Sequence, residues 1–347
     1  MSKKTICFIS PKFSDFIGGM ETHATDMVAF FIKNKNYKIT SILTRSSIDD
    51  GVPSPKKCEN VKLKAIIKPI LEGNFIDDAK KIVESSNPTK DIYYLNSPNW
   101  LPAMEIIKKQ FPKSRIIVRS GGNDIMAGWI GSEKDSSMSL ESSKRYLVEL
   151  INTYVEKFIV NSDYSLKRAI SAGIKKEKIV KIIGGVDCSR FKPRKKEISK
   201  EKYLEIVTVA RFVKFKGIIY SLRAVQKAIQ KFGINIKYTI IGDGPEKENL
   251  KNEANNLGIS KNVFFKGAVN LEEVPKYIET KDIFLHLPIH LEKTERGSSY
   301  IHTETMGRCL CEAEACGIPI ITSKVGGIPE IVEEGITGFL LEEKDYS

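Results

Sequence analysis

The stretch His302–Pro329 reads H-T-E-T-M-G-R-C-L-C-E-A-E-A-C-G-I-P-I-I-T-S-K-V-G-G-I-P. Leu310, Ala313 and Ala315 recur at helical spacing, and Gly317 follows as a helix-ending C′ residue. Pro319–Thr322 is a short apolar run suited to a buried strand. Gly326-Gly327 then opens a turn into a second helix with Pro329 near its first turn. Two carboxylates frame the first helix, Glu304 in the loop before it and Glu312 inside it near its start. The amides of Gly307, Arg308 and Cys309 lie where a helix leaves its first N–H groups without intrahelical acceptors, and such a terminus welcomes an anion. Carboxylates so close by suit hydroxyls rather than phosphate. A ligand that offers both is a sugar nucleotide.

Outward from this stretch, strand-like and helix-like segments alternate along the whole chain, the pattern of parallel sheets with crossover helices. In the first half Thr5–Ser10, Tyr37–Leu43, Val61–Ile67, Asp91–Leu95, Arg115–Arg119, Lys157–Asn161 and Ile179–Ile183 read as strands. Met20–Lys33, Phe75–Glu84, Leu101–Gln110, Ser143–Tyr154 and Asp163–Ala172 read as helices, and Gly121–Ser139 as a long loop. The basic, Pro-containing segment Gly184–Tyr203 suits a linker. Alternation then restarts, with strands at Glu205–Ala210, Lys237–Gly242, Val263–Lys266 and Ile283–Leu287. Helices fall at Gly217–Phe232, Pro245–Leu257 and Glu272–Thr280, the first with Ile218, Leu222, Val225 and Ile229 on one face. The fold class is therefore α/β, with two doubly wound, Rossmann-like domains, residues 1–185 and residues 186–347. Ligands of such sheets bind at the carboxyl ends of the strands, so the expected site is a cleft between two facing domains.

Composition narrows the classes. With 347 residues, 41% hydrophobic and 28% charged, the chain has the makeup of a two-domain globular protein. No window approaches the ~18 apolar residues of a membrane span, and the N-terminus lacks a signal-peptide pattern, so a cytoplasmic protein is expected. The net charge of +12 comes without any zinc finger, basic zipper or aromatic RNA-binding signature, so nucleic acid is not an expected partner. Cys309, Cys311 and Cys316 share one helix, where C-x-C points its thiols to different faces, and no metal site is expected there.

Three further places carry chemistry. Arg211 and Lys216 follow the Glu205–Ala210 strand in A-R-F-V-K-F-K-G; a guanidinium fork and an ammonium together suit a diphosphate. Taken alone, the same pair also fits a solvated basic loop. Gly18 and Gly19 follow the first strand and precede a helix, which permits close approach to a phosphate. His23, a turn into that helix, reads as a packing residue. I-I-G-D-G-P at Ile240–Pro245 is half of a dinucleotide fingerprint, but Lys247 stands where its third glycine belongs, which disfavours a nicotinamide enzyme. Gly242 instead leaves room for a base or ribose.

Together R-F-V-K-F-K-G, I-I-G-D-G-P, N-V-F-F-K-G, the E-x7-E pair Glu304 and Glu312, and V-G-G-I-P-E-I-V-E-E-G-I-T-G resemble the retaining GT-B glycosyltransferases of glycosyltransferase family 4. The likeness is close from Glu205 to Leu341 and looser before it. It implies a nucleoside-diphosphate sugar, expected to be a UDP-hexose or UDP-N-acetylhexosamine, held by the C-terminal domain, with the acceptor on the N-terminal one. By position, Glu304 would bond the donor sugar and stabilise positive charge at its anomeric carbon, and Glu312 would take the ribose. Arg211 and Lys216 would take the diphosphate, the peptides of Gly307, Arg308, Cys309 and Leu310 the phosphates and ribose, Gly19 the distal phosphate, and Lys266-Gly267 the base. The resemblance implies no metal and no cofactor beyond the donor.

Departures from the family pattern bear on the acceptor. The N-domain histidine that often touches the donor sugar has no clear match; Asn123 and Asp124, in R-S-G-G-N-D-I, are the candidates for a sugar- or acceptor-facing role. Pro288–Thr303 is an insertion before Glu304. The chain stops at Ser347, where the family continues into helices that return across the cleft. A glycan, a lipid-linked precursor at an anionic membrane face, and a small molecule such as an aminocyclitol all stay open as acceptors. A non-catalytic sugar-nucleotide-binding partner subunit is the alternative from another class.

Overall fold

A computed structural model describes residues 4–10, 19–44, 79–80, 82–84, 86–89, 91–127, 138–194 and 203–345. Gly18, the expected strand Val61–Ile67, much of the expected helix Phe75–Glu84, residues 128–137 and residues 195–202 lie outside them. The chain forms two compact units. One comprises Met1–Asp15, Gly19–Ile182 and Lys293–Tyr300, the other Phe16–Gly18, Ile183–Glu292 and Ile301–Ser347.

The first unit is built on β1 (Lys4–Ser10), β2 (Tyr37–Thr44), β3 (Asp91–Leu95), β4 (Arg115–Arg119), β5 (Lys157–Val160) and β6 (Ile179–Lys181). They form one parallel sheet in the order β2-β1-β3-β4-β5-β6. Its helices are α1 (Gly19–Lys33), α2 (Leu101–Gln110), the single turn α3 (Asp124–Ala127), α4 (Leu140–Tyr154) and α5 (Asp163–Ser171). Serines start the last two: Ser139 accepts from the Ser142 amide and Ser162 from the Ser165 amide, each satisfying an N–H that the helix leaves open. The Ser139 cap also places the start of α4 three residues before the expected Ser143.

The second unit holds β7 (Leu204–Val209), β8 (Ile236–Ile241), β9 (Val263–Gly267), β10 (Ile283–His286), β13 (Ile320–Ser323) and β14 (Gly338–Leu341), in the order β14-β13-β10-β7-β8-β9. Its pairings are parallel too. Alternate residues feed opposite faces: Val207, Val209 and Phe284 enter one apolar cluster, Ile206, Ile240 and Leu285 the other. Burial on both faces is why these strands read as unbroken apolar runs. Helix α6 (Ile218–Phe232) lays Ile218, Leu222 and Val225 into the second cluster, and α9 (Arg308–Ala315) lays Leu310 and Ala313 into the first. Between them come α7 (Lys247–Asn256) and α8 (Val274–Ile278).

One expectation needs correction. The segment after Gly326-Gly327 is a single 3-10 turn, Ile328–Glu330, rather than a second helix. The insertion before Glu304 contains a hairpin: β11 (Leu291–Glu295) and β12 (Ser298–His302) form a two-stranded sheet joined by Arg296 and Gly297, both at positive φ. Such a two-residue turn needs left-handed conformers at both positions.

The connection from β7 to α6 turns on Gly217, at φ +64, where an added Cβ would lie 1.7 Å from the Leu287 carbonyl oxygen. Gly258 has a similar φ of +70 but open space around it. Gly258→Ala therefore costs only the left-handed backbone, ~1–2 kcal/mol. Gly217→Ala must also push two backbone segments apart and costs at least ~3 kcal/mol. Thermal melts of the two variants check the difference; equal losses would contradict it.

Candidate functional site

In the second unit the strand order reverses between β7 and β10: the chain leaves β7 for β8 and β9, then returns to β7's other side. Loops part at such a point and leave a crevice at the carboxyl ends of the central strands. Lys216 lies in the loop after β7, His286 is the last residue of β10, and Glu304 follows β12.

Each is fixed by local packing. Lys214–Lys216 is one 3-10 turn whose Phe215 is buried, and the Phe215 carbonyl accepts from the Ile289 amide at 2.9 Å. The Glu304 carbonyl accepts from the Gly327 amide at 3.1 Å, and a Cβ on Gly326 would stand 1.8 Å from that same oxygen. The glycine pair read as a helix-opening turn thus lets backbone lie flush against the loop that carries Glu304.

The Lys216 ammonium pairs with Glu304 Oε2, and both side chains are largely shielded, 16% and 13% exposed. His286, wholly buried, brings Nε2 to 3.5 Å from the same oxygen. Burial raises the affinity of the Glu304 carboxyl for a proton, but the Lys216 ammonium and His286 outweigh it and hold Glu304 far below the usual carboxylate range. Burial pushes the His286 imidazole down, with Glu304 pulling it partly back, so His286 is neutral near pH 7. An anionic carboxylate, an ammonium and a neutral imidazole meet on one oxygen. His286 escaped the sequence reading. Its signal was a lone polar side chain closing the apolar run D-I-F-L-H-L-P at a strand's carboxyl end.

The other expected donor residues are distributed around this centre. Glu312 is buried in α9 and accepts from Arg308 Nε at 3.3 Å, so these two predicted residues meet. Gly307, at φ +81, is the N-cap of α9 with no side-chain cap. Leu310 spends its amide on the Gly307 carbonyl at 2.9 Å and its side chain on the core. The Cys309 thiol is raised by burial and feels both Lys216 and Glu304. Cys311 and Cys316 are pushed up to about 12 and about 11, mainly by burial, so all three are thiols near pH 7. Arg211 is exposed just after β7. Gly242 is accounted for by packing: at φ +138, an added Cβ would lie 1.8 Å from the Ala210 carbonyl. That close approach by itself requires a glycine at this position. Lys266 is exposed at the end of β9, and the space beside Gly267 is open.

In the first unit the candidates are described by their contacts within that unit. Gly19 opens α1 with nothing near its Cβ position. Asn123 accepts from Arg168 at 3.2 Å, and Asp124 accepts from Ser120 and from the amides of Gly121 and Ile125 at 2.8 and 3.1 Å. Both side chains serve local bonding. Burial raises the Asp124 carboxyl against those donors. His23 packs as expected, its Nε2 3.4 Å from the Tyr94 hydroxyl. Among the described residues no helix is long and apolar enough to cross a membrane, and no group of three His, Cys, Asp or Glu side chains is arranged to hold a metal ion.

Residues 189–347 match the family described as glycosyl transferases group 1. Among the most similar curated relatives is the GDP-mannose-dependent alpha-(1-6)-phosphatidylinositol monomannoside mannosyltransferase of Mycolicibacterium smegmatis. It is 28% identical over 234 residues, 65% of this chain and 59% of that protein. The putative colanic acid biosynthesis glycosyltransferase WcaL of Escherichia coli K12 is 32% identical over 184 residues, 53% of this chain and 43% of that protein. The chain thus spans about half the length of these relatives. In fold it matches Anabaena HepE, solved in complex with UDP and glucose, at a TM-score of 0.74 and 20% identity, covering 99% of this chain and 87% of that one. The fold is that of the GT-B glycosyltransferases, α/β with two parallel six-stranded sheets.

Removing Lys216 would leave a buried carboxylate without its cation, and breaking such a pair costs about 3 kcal/mol or more. In the wild type the depressed Glu304 contributes its stability fully above the unfolded carboxylate value of about 4.3 and loses it as pH falls below that. In Lys216→Met the uncompensated charge is a penalty at neutral pH that acid relieves by protonation. The gap in melting temperature between wild type and K216M is therefore widest at pH 7.5 and narrows towards pH 4.5. A gap that is constant or grows on acidification would contradict the pairing.

Proposed function

We propose that this protein is a glycosyltransferase that moves a hexose or N-acetylhexosamine from a nucleoside-diphosphate sugar to an acceptor hydroxyl, with retention of anomeric configuration and without a metal. The observation that carries the reading is the buried Lys216–Glu304 pair at the point where the second sheet's strand order reverses, inside the part that matches glycosyl transferases group 1. UDP-sugar is the preferred donor. GDP-mannose is the second reading, favoured by the name of the mycobacterial relative.

Each residue has a chemical task. Glu304, anionic at neutral pH, accepts hydroxyl hydrogen bonds from the donor sugar and stabilises positive charge as the bond from the anomeric carbon to the phosphate oxygen lengthens. Lys216 and Arg211 neutralise the charge that gathers on the departing diphosphate. The acceptor oxygen bonds to the anomeric carbon on the face the phosphate leaves, and its proton passes to the leaving phosphate oxygen. Glu312 offers a carboxylate for the ribose diol, and Lys266-Gly267 a backbone edge for the base. Because Lys216 already holds Glu304, a bound diphosphate must draw the ammonium towards itself. Donor binding is thereby coupled to the freeing of one Glu304 oxygen.

The acceptor is a glycan or a lipid-linked sugar, in keeping with relatives named for colanic acid biosynthesis and for a phosphatidylinositol mannoside. The +12 charge favours action at an anionic membrane face. A panel of UDP- and GDP-sugars, with release of UDP or GDP measured alone and with glycan, lipid-linked and small-molecule acceptors, tests the reading. Glu304→Gln and Lys216→Ala should each lower turnover on the preferred donor by about 100-fold or more. Near-wild-type turnover in either variant would overturn the assignment of these residues.

A further inference from the structure

His286 has no task in the chemistry above, yet it is fully buried and faces the centre of the site. Among the described residues neither ring nitrogen has a formed hydrogen bond, an uncommon state for a buried imidazole. Its Nε2 stands 3.5 Å from Glu304 Oε2, longer than a made N–H···O bond but within the distance such contacts close when a ligand arrives. Oε2 is also the oxygen that Lys216 holds.

Lys216 and His286 differ in what supports them. Lys216 sits on a one-turn loop with a long, rotatable side chain, whereas His286 closes a central strand and is paired in register with Thr322 of β13. The one can move and the other cannot. If the ammonium turns to a diphosphate, Glu304 stays buried as an anion and needs a second donor to keep both its charge and its direction. We propose that His286 is the positioning residue for Glu304: as the neutral Nε2–H tautomer it donates to Oε2 and holds the carboxylate in place while Lys216 serves the phosphates. This rests on the glycosyltransferase reading. A neutral donor has an advantage over a further cation here, since it fixes the carboxylate without opposing the positive charge that grows at the anomeric carbon. Burial keeps the ring in that neutral form.

The test uses the full chain with His286→Leu, which fills the volume without a donor, and His286→Gln, whose amide can reach Oε2. On a donor that the wild type turns over, H286L should lower kcat on the order of 100-fold, with the donor KM and UDP affinity within about threefold, as expected when a group is misplaced but binding is kept. H286Q should recover most of that loss. A kcat for H286L within twofold of wild type, or equal loss in both variants, would overturn the proposal. Imidazole 15N shifts at pH 7.5, assigned by the signal missing from H286Q, supply a readout that needs no turnover and no folded H286L. A neutral Nε2–H tautomer is expected, and an imidazolium or an Nδ1–H tautomer would overturn the proposal. Should the wild type use no sugar nucleotide, the glycosyltransferase reading fails by itself, and the tautomer still decides whether His286 is a donor to Glu304.

Discussion

A carboxylate taken out of water is the constraint on which the second unit turns. Glu304 is 13% exposed, and the Lys216 ammonium, with His286 beside it, offsets the burial that would otherwise favour its protonated form. Apolar side chains of similar volume commonly hold such a position as well as an ion pair does. That comparison points to chemistry rather than stability as what the pair serves. Keeping the charge there imposes demands on three separate pieces of chain: the turn after β7, the end of β10 and the loop before α9.

Those demands are met by close backbone contact rather than by more side-chain bonding. Gly217 lets the Lys216 turn press against Leu287, at the end of β10, and Gly326 lets the turn after β13 press against Glu304. Residues nearly ninety positions apart in the chain are thereby set within ion-pair distance. A side chain at either glycine would separate the strands' loops and the charges with them. The strand-order reversal supplies the space, and the glycines set its walls.

Much of this was legible beforehand. Asp91–Leu95, Arg115–Arg119 and Leu101–Gln110 were read with the bounds the structure gives them, because buried runs and helical spacing are local signals. The α/β class and the parallel pairing followed from the alternation. Other features were not legible, for identifiable reasons. No strand pair was read in the insertion Pro288–Thr303, because arginine rarely takes the φ of +47 that its turn requires. At Gly242 the sequence cannot tell room for a ligand from close approach of a neighbouring carbonyl, since both require a glycine, and the structure shows the second.

By itself the sequence determined the alternation of strands and helices through most of both units and the two-sheet α/β class, since these rest on neighbours within a few positions or on composition. Only the tertiary structure decided that Lys216 pairs with Glu304, that Glu312 turns to Arg308, that Asn123 and Asp124 bond within their own unit, and that His286 stands behind the first carboxylate. The physical reason is that strand order is not written in strand sequence. Where β10 returns beside β7, the chain brings together groups whose affinity for protons and for one another exists only after burial.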